Sequence, residues 1–381
     1  MNCIIKELDT LEDNWGNIEY IIPYGCGLEA YRTLNRIIKN FNVPYIIDND
    51  PKKWGKTFYG IQIKSPEILK EKKNNEKVLV TIARRRYGEI KKFLEKYNLK
   101  ENIDFCHISQ FGIEWYYKNK REYNVFTMDI AVTTACTLRC KNCNMFTTYY
   151  KTPITYTFEQ LKKNVDLLFK RIDYIFAIGI LGGEAFLNKD LVKFLDYLYK
   201  EYREKFGSVC ITTNGVVFPS KDQIDVIKKY NIIVIISDYK KAIKDKSKID
   251  ELEKYLKEEN IICQTRRDLV WCDFGFPLKP VDIKEDDVRK HMMMCNPGWR
   301  GLNDGKFYFC NCAWSAERAG LFTLKKDDFL DLANMEICEE TKKQIMLYSL
   351  GIMKSRYMSF CKVCGGCGED NIKFVDAGEQ I

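Results

Sequence analysis

Cys136-Thr137-Leu138-Arg139-Cys140-Lys141-Asn142-Cys143 is the stretch on which the reading of this chain turns. Three cysteines at spacing C-x3-C-x2-C stand in a short polar segment directly after Phe126-Thr127-Met128-Asp129-Ile130-Ala131-Val132, which reads as a strand. Cysteine thiolates hold iron–sulfur clusters, and a cubane cluster has four irons. Three ligands from one loop therefore leave one iron able to bind something else. A structural zinc site is instead closed by four protein ligands, usually as two C-x2-C pairs. No fourth ligand stands in this loop, and the nearest histidine upstream is His107.

Beyond the loop, helix patterns over 158–169, 191–202 and 223–229 alternate with strand patterns over 174–181, 208–213 and 232–237. Alternating strand–helix units demand a parallel sheet, because each parallel crossover needs a helix. Chemistry in such barrels sits at the C-terminal ends of the strands. Three motifs fall there: Leu181-Gly182-Gly183-Glu184, Thr212-Thr213-Asn214-Gly215 and Ile235-Ile236-Ser237-Asp238-Tyr239. Each alone is ordinary loop punctuation. Together, in order after the cysteine triplet, they are not.

This set closely resembles the signature of the radical S-adenosylmethionine (radical SAM) superfamily. The resemblance implies a partial (β/α)6 barrel over 124–280 and a [4Fe–4S] cluster on Cys136, Cys140 and Cys143, whose open iron is chelated by SAM. It also implies SAM contacts from Gly182, Gly183 and Glu184, from Thr213 and Asn214, and from Ser237. Reductive cleavage of SAM to a 5′-deoxyadenosyl radical and hydrogen abstraction from a substrate carbon follow, with an electron donor such as flavodoxin or ferredoxin. Many members carry an aromatic residue before the third cysteine; here it is Asn142, so Met145, Phe146, Tyr149 and Tyr150 become candidates to hold adenine.

Upstream, residues 1–112 read as a Rossmann-like α/β unit, joined by a linker over 113–123. A strand running into Gly25-Cys26-Gly27 precedes a helix from Leu28, and Gly25, Gly27 and Ala30 approximate G-x-G-x-x-G/A. Such glycines let backbone approach a phosphate at a helix N-terminus. Asp48 lies 21 residues after Gly27, where a dinucleotide fold places its ribose-binding acid. The stretch Ile47-Asp48-Asn49-Asp50-Pro51, with Trp54-Gly55-Lys56 and Tyr59-Gly60-Ile61-Gln62-Ile63, resembles the nucleotide-sugar-binding domain of bacterial sugar acetyltransferases. Loss of that ligand, or use of the domain to hold a partner protein, is the alternative.

Downstream, residues 281–381 gather Cys295, Cys310, Cys312, Cys361, Cys364 and Cys367, with an Asp304-Gly305 turn inside a hairpin pattern at 302–309. The arrangement resembles the SPASM/Twitch extension of radical SAM enzymes. That implies a small C-terminal domain with a second, auxiliary [4Fe–4S] cluster on Cys295, Cys310, Cys361 and Cys364, with Cys367 an alternative ligand. Zinc on the same sulfurs would look identical in sequence. Cys272, in the stretch from Leu269 to Gly275, and Cys312 are candidate hydrogen donors. Arg266, Arg267 and Asp273 are candidates to hold substrate hydroxyls or phosphate.

The chain has 381 residues, 46% hydrophobic, which is enough for two or three packed domains and excludes a disordered chain. No apolar run reaches 18 residues, so no membrane span is expected. The start Met1 to Leu8 has neither a basic n-region nor an apolar h-region, so a cytoplasmic protein is expected. In that compartment 16 cysteines point to cluster chemistry, since disulfides are rare there. The net charge of +8 is spread along Lys-rich helix faces and reads as solvated surface, not as a nucleic-acid site. Residues 181–187 and 236–239 resemble radical SAM proteins of capsule, O-antigen and exopolysaccharide synthesis. The substrate expected from this is a sugar, nucleotide-sugar or glycan, oxidised or epimerised. The alternatives are a peptide maturase, or a metal-stabilised scaffold without enzymatic activity.

Overall fold

A computed structural model describes residues 15–16, 18–267, 270–295 and 298–381. The reading of Met1 to Leu8, and Leu269 beside Cys272, lie outside the described residues. The chain forms two compact units, Met1–Phe126 and Thr127–Ile381. Both are α/β.

The first unit contains β1 (Tyr20–Tyr24), α1 (Leu28–Asn40), β2 (Ile46–Ile47), β3 (Thr57–Phe58), β4 (Ile61–Lys64), β5 (Glu76–Val80), α2 (Tyr87–Glu95) and β6 (Phe105–His107). Its sheet runs β3-β4-β2-β1-β5-β6, with β1 parallel to both β2 and β5. Helix α1 forms where Ala30, Leu34 and Ile37 recur on one face, and all three are buried. Residues 113–123, expected as a linker, are instead largely helical over Phe111–Trp115 and Tyr116–Lys120. The cause is aromatic packing: Trp115 stacks on Phe111 at 5.3 Å and meets Phe41 at 4.9 Å.

Strand β7 (Asn124–Thr133) runs across the boundary, and the second unit continues through α3 (Phe158–Phe169), β8 (Tyr174–Gly182), α4 (Leu191–Tyr202), β9 (Phe206–Thr213), α5 (Lys221–Tyr230), β10 (Ile233–Ser237), α6 (Ser247–Glu258) and β11 (Cys263–Arg266). Capping boxes Thr157/Gln160 and Ser220/Gln223 start α3 and α5. Then come β12 (Val270–Cys272), α7 (Glu285–Cys295), β13 (Gly301–Asn303), β14 (Lys306–Tyr308), α8 (Asn311–Arg318), β15 (Phe329–Asp331), α9 (Glu339–Ser349) and β16 (Phe374–Asp376).

The sheet order β11-β10-β9-β8-β7-β13-β14-β15 is that of an open, partial barrel extended at one edge. The expected boundary at 280/281 is therefore not a break in the sheet. Strand β13 pairs in parallel with β7 at Gly301 and Asp129, and the Asn303 side-chain amide bonds both the N–H and the C=O of Ala131. A separate ribbon pairs β12 with β16. Among the described residues, no helix is long and apolar enough to cross a membrane.

Candidate cluster and cofactor site

The cysteine loop leaves β7 at Thr133, and the loop after β8 is bonded to it. Gly183 N–H donates to Thr133 C=O and Glu184 N–H to Ala135 C=O, both at 2.8 Å. The two glycines are required by this approach. A Cβ on Gly182 would lie 2.0 Å from Thr133 O, and one on Gly183 2.2 Å from Ala135 O.

Glu184 is fully buried, and its carboxylate accepts Asn214 N–H (2.8 Å), Thr213 O–H (3.0 Å) and Phe186 N–H (3.2 Å). It thus ties the loops after β8 and β9 together. Burial, opposed by these three donors, pushes its pKa up to about 7. Asn214 in turn reaches the loop, its Nδ2 lying 3.1 Å from Thr137 Oγ1 and 3.6 Å from Cys136 Sγ.

Every sulfur of the triplet has a donor. Leu138 N–H points to Cys136 Sγ (3.4 Å), Thr147 O–H to Cys143 Sγ (3.5 Å) and Gln380 Nε2 to Cys140 Sγ (3.2 Å). Gln380 belongs to a segment that pairs with the loop: Lys141 N–H donates to Glu379 C=O at 2.7 Å and Ile381 N–H to Arg139 C=O at 2.9 Å. The Gln380 Oε1 accepts Arg139 N–H at 2.7 Å. Burial pushes the Cys136 thiol up to about 11 and Cys140 up to about 12, with the neighbouring thiols adding to both. Bare thiolates are thus disfavoured here, and a metal must displace the protons.

Tyr239, just past Ser237, completes the enclosure. Burial, opposed by a hydrogen bond with Ser237 and aided by the thiols of Cys140, Cys143 and Cys136, holds its hydroxyl well above the usual phenol range. Gly378 crosses its ring, where a Cβ would lie 2.8 Å from Tyr239 Cγ. Tyr239 is legible in the sequence only as part of a strand-end motif. Gln380 carries no local signal at all, being 240 residues from Cys140.

Three of the candidates to hold adenine, Met145, Phe146 and Tyr150, are engaged in packing or hydrogen bonding. Met145 and Phe146 are buried, Phe146 against Phe276 (5.6 Å), and Tyr150 hydrogen-bonds Ser315 (2.9 Å). Residues after Cys143 thus pack on α8 and its surroundings.

The C-terminal cysteines converge. Cys295 Sγ and Cys367 Sγ are 3.9 Å apart. Burial, then the thiols of Cys295, Cys310 and Cys364, raise Cys361 well above its usual range. A hydrogen bond from Cys312 lowers Cys310 against its burial. The two candidate hydrogen donors lie here too: Cys312 beside Cys310, and Cys272, on β12, within electrostatic reach of Cys367. His291 is held by Asp370 (2.5 Å) and the Cys364 carbonyl (2.9 Å).

Both sets suit iron–sulfur clusters on donor chemistry. Among the described residues, no three His, Cys, Asp or Glu side chains converge tightly enough for a single metal ion.

In the first unit, Gly25 has φ +107° and abuts Thr81 and Ile82, so its freedom serves chain packing. A Cβ on Gly27 would meet nothing within 4 Å. The Asp48 carboxylate is already engaged: Cys26 N–H (2.9 Å), Cys26 S–H (3.0 Å), Asp50 N–H (2.9 Å) and Lys53 Nζ (3.0 Å) donate to it. Burial opposes these donors, which nevertheless lower its pKa.

Residues 130–255 match the family model of the radical SAM superfamily. No curated protein matches the chain in sequence. A crystal structure of BtrN in complex with AdoMet and 2-DOIA is similar over 67% of this chain and 96% of its own, at TM-score 0.44 and 15% identity. anSMEcpe with bound AdoMet and the Cp18Cys peptide is similar over 36% of this chain and 42% of its own, at TM-score 0.30 and 16% identity. Streptococcus suis SuiB bound to S-adenosylmethionine is similar over 41% of this chain and 35% of its own, at TM-score 0.29 and 17% identity.

Proposed function

We propose, from a chain whose residues 130–255 form a radical SAM superfamily domain, that the protein is an enzyme acting on a sugar, nucleotide-sugar or glycan through SAM and two [4Fe–4S] clusters. Cys136, Cys140 and Cys143 hold the first cluster, which, with SAM and an electron, supplies a 5′-deoxyadenosyl radical for hydrogen abstraction. The observation that supports this reading is the set of three thiols on one strand-end loop, each met by a donor.

The chain's own residues position and enclose. Gly182 and Gly183 let the second strand-end loop lie against the cysteine loop, while Glu184 fixes Asn214 and Thr213 beside it. The residues proposed to meet SAM are Gly182, Gly183 and Glu184, Thr213 and Asn214, and Ser237. Tyr239 and the 378–381 segment lie against the cysteine loop and cover Cys140. Cys295, Cys310, Cys361 and Cys364 hold the second cluster, with Cys367 competing for one place because its sulfur neighbours Cys295. Cys312 and Cys272 act around that cluster, as hydrogen donors if the outcome is epimerisation.

For the first unit we propose a nucleotide-sugar as ligand. The resemblance of residues 47–63 and the open space over Gly27 support it. Gly25, Gly27 and Asp48 are the residues proposed to meet it, Asp48 being engaged also by Cys26 and Lys53.

The test of the central reading is anaerobic reconstitution followed by SAM and reductant. Wild type should form 5′-deoxyadenosine, and a variant with Cys136, Cys140 and Cys143 all changed to Ala should form none while keeping its C-terminal iron. Undiminished SAM cleavage by that variant refutes the assignment.

A further inference from the structure

We infer that residues 366–381 form a strap between the two cysteine groups, positioned by Asn371: loading the second group fixes one end of the strap, and the other end then covers Cys140 of the first. This rests on the proposed function, in which both groups hold clusters.

The near end lies on the second group. Cys367 N–H points to Cys295 Sγ at 3.3 Å. Beside the His291–Asp370 pair, the buried Asn371 turns the chain away from there. Its Nδ2 donates to Gly366 C=O at 2.8 Å and to Asp273 C=O at 2.9 Å, and its Oδ1 accepts Lys373 N–H at 3.0 Å. Both donors of the amide are used, and an aspartate of the same size would have none. The chain then runs as β16 against β12, with Cys272 opposite Phe374, Trp271 opposite Val375, and Asp273 N–H on Lys373 C=O at 2.9 Å.

The far end lies on the first group. Trp271 of the ribbon meets the Tyr239 ring at 5.5 Å, and Gly378, at φ +77°, crosses the same ring. Gln380 and Cys140 then form an antiparallel bridge, and Gln380 Nε2 is shared between Cys140 Sγ and Gly378 C=O. Beneath this cover Cys140 is 6% exposed. Hydrogen bonds and one aromatic contact thus lead without interruption from Cys295 to Cys140.

Little else holds the strap down. Of residues 371–381 only Asn371, Ala377 and Gly378 are buried, whereas Ile372 is 82% and Phe374 47% exposed. A segment with so few buried contacts opens at low free energy, and its fixed ends decide whether it is ordered. Metal binding orders the chain that supplies the ligands. A metal on Cys295 and its neighbours therefore fixes the point from which the strap leaves, and Asn371 passes that order on without touching either group of sulfurs.

The test is hydrogen–deuterium exchange over residues 139–141 and 371–381 of the anaerobically reconstituted full chain, in wild type, Cys310→Ala, Asn371→Asp and Gln380→Leu. Lys141 and Ile381 report the far end, because Lys141 N–H donates to Glu379 C=O at 2.7 Å and Ile381 N–H to Arg139 C=O at 2.9 Å. Cys310→Ala, with its second group unloaded, and Asn371→Asp should both exchange at these amides about tenfold faster than wild type or more. Gln380→Leu should speed exchange at 139–141 and leave 371–376 as in wild type. Release of the first group's iron to a chelator should quicken in all three. Exchange at 139–141 that is unchanged in both Cys310→Ala and Asn371→Asp overturns the inference, and so does speeding that extends equally to helix α4. Iron content and 5′-deoxyadenosine formation with SAM and reductant, measured on the same samples, separate the outcomes. Four irons in wild type, or no 5′-deoxyadenosine from it, refutes the proposed function, whereas a far end indifferent to Cys310 and Asn371 refutes this inference alone.

Discussion

At the scale of the residue, Gln380 offers the sharpest handle on the first cluster. Its Nε2 donates to Cys140 Sγ at 3.2 Å, the shortest of the donor contacts to the triplet. A hydrogen bond to a ligand sulfur stabilises the reduced, more negative cluster and raises its potential. Gln380→Leu should lower the midpoint potential by something on the order of tens of millivolts. An electron-paramagnetic-resonance titration reads this, and an unchanged potential at full iron content would count against the contact. Glu184 predicts a pH dependence. Its folded pKa is raised from 4.5 to about 7, so the folded state holds the extra proton. Stability from this group is full below the unfolded pKa and is lost as pH rises through about 7, a change of about 3 kcal/mol. Unfolding curves across that window should slope downward in wild type and less so in Glu184→Gln. Equal slopes would remove Glu184 as the cause.

At the scale of the element, the loops after β7 and β8 behave as one piece. Gly183→Ala places a methyl 2.2 Å from a backbone carbonyl, which cannot swing aside as a side chain can. We expect destabilisation of about 3 kcal/mol or more, with loss of the first cluster's iron, whereas Gly27→Ala, facing open space, should be mild. Iron content and thermal unfolding of the two variants check the contrast. Strand β11 shows why an element escapes sequence reading. Cys263-Gln264-Thr265-Arg266 has no apolar alternation, because one of its faces is wet and the other meets the carboxylate of Glu253. Helix α6 carries Ile249, Leu252 and Leu256 at helical spacing within a charged run, a weaker signal than that of α3 or α4.

At the scale of the whole molecule, two clusters require about eight irons. Cys310→Ala should remove roughly half of the iron and leave the SAM-dependent spectrum of the first cluster. Loss of all iron, or of none, contradicts separate sites. The compactness of Met1–Phe126 allows a second measurement on the full chain. UDP-glucose titrated into wild type should bind, and Gly27→Trp, whose Cβ starts into open space, should abolish that binding while sparing SAM cleavage. Binding indifferent to Gly27→Trp would place the ligand elsewhere.

The sequence by itself determined the alternating strand–helix order, the cysteine triplet and the three strand-end motifs, because each rests on spacing within a few residues. Helices Phe158–Phe169 and Leu191–Tyr202 coincide with their apolar periodicity for the same reason. Only the tertiary structure decided what lies far apart in the chain. It set Gln380 on Cys140, joined β13 to β7, and engaged Asp48 with Cys26 and Lys53. Local spacing encodes periodicity and turn chemistry. Which donor a buried sulfur or carboxylate meets depends on chain closure over hundreds of residues, and on which face of an edge strand the next helix covers.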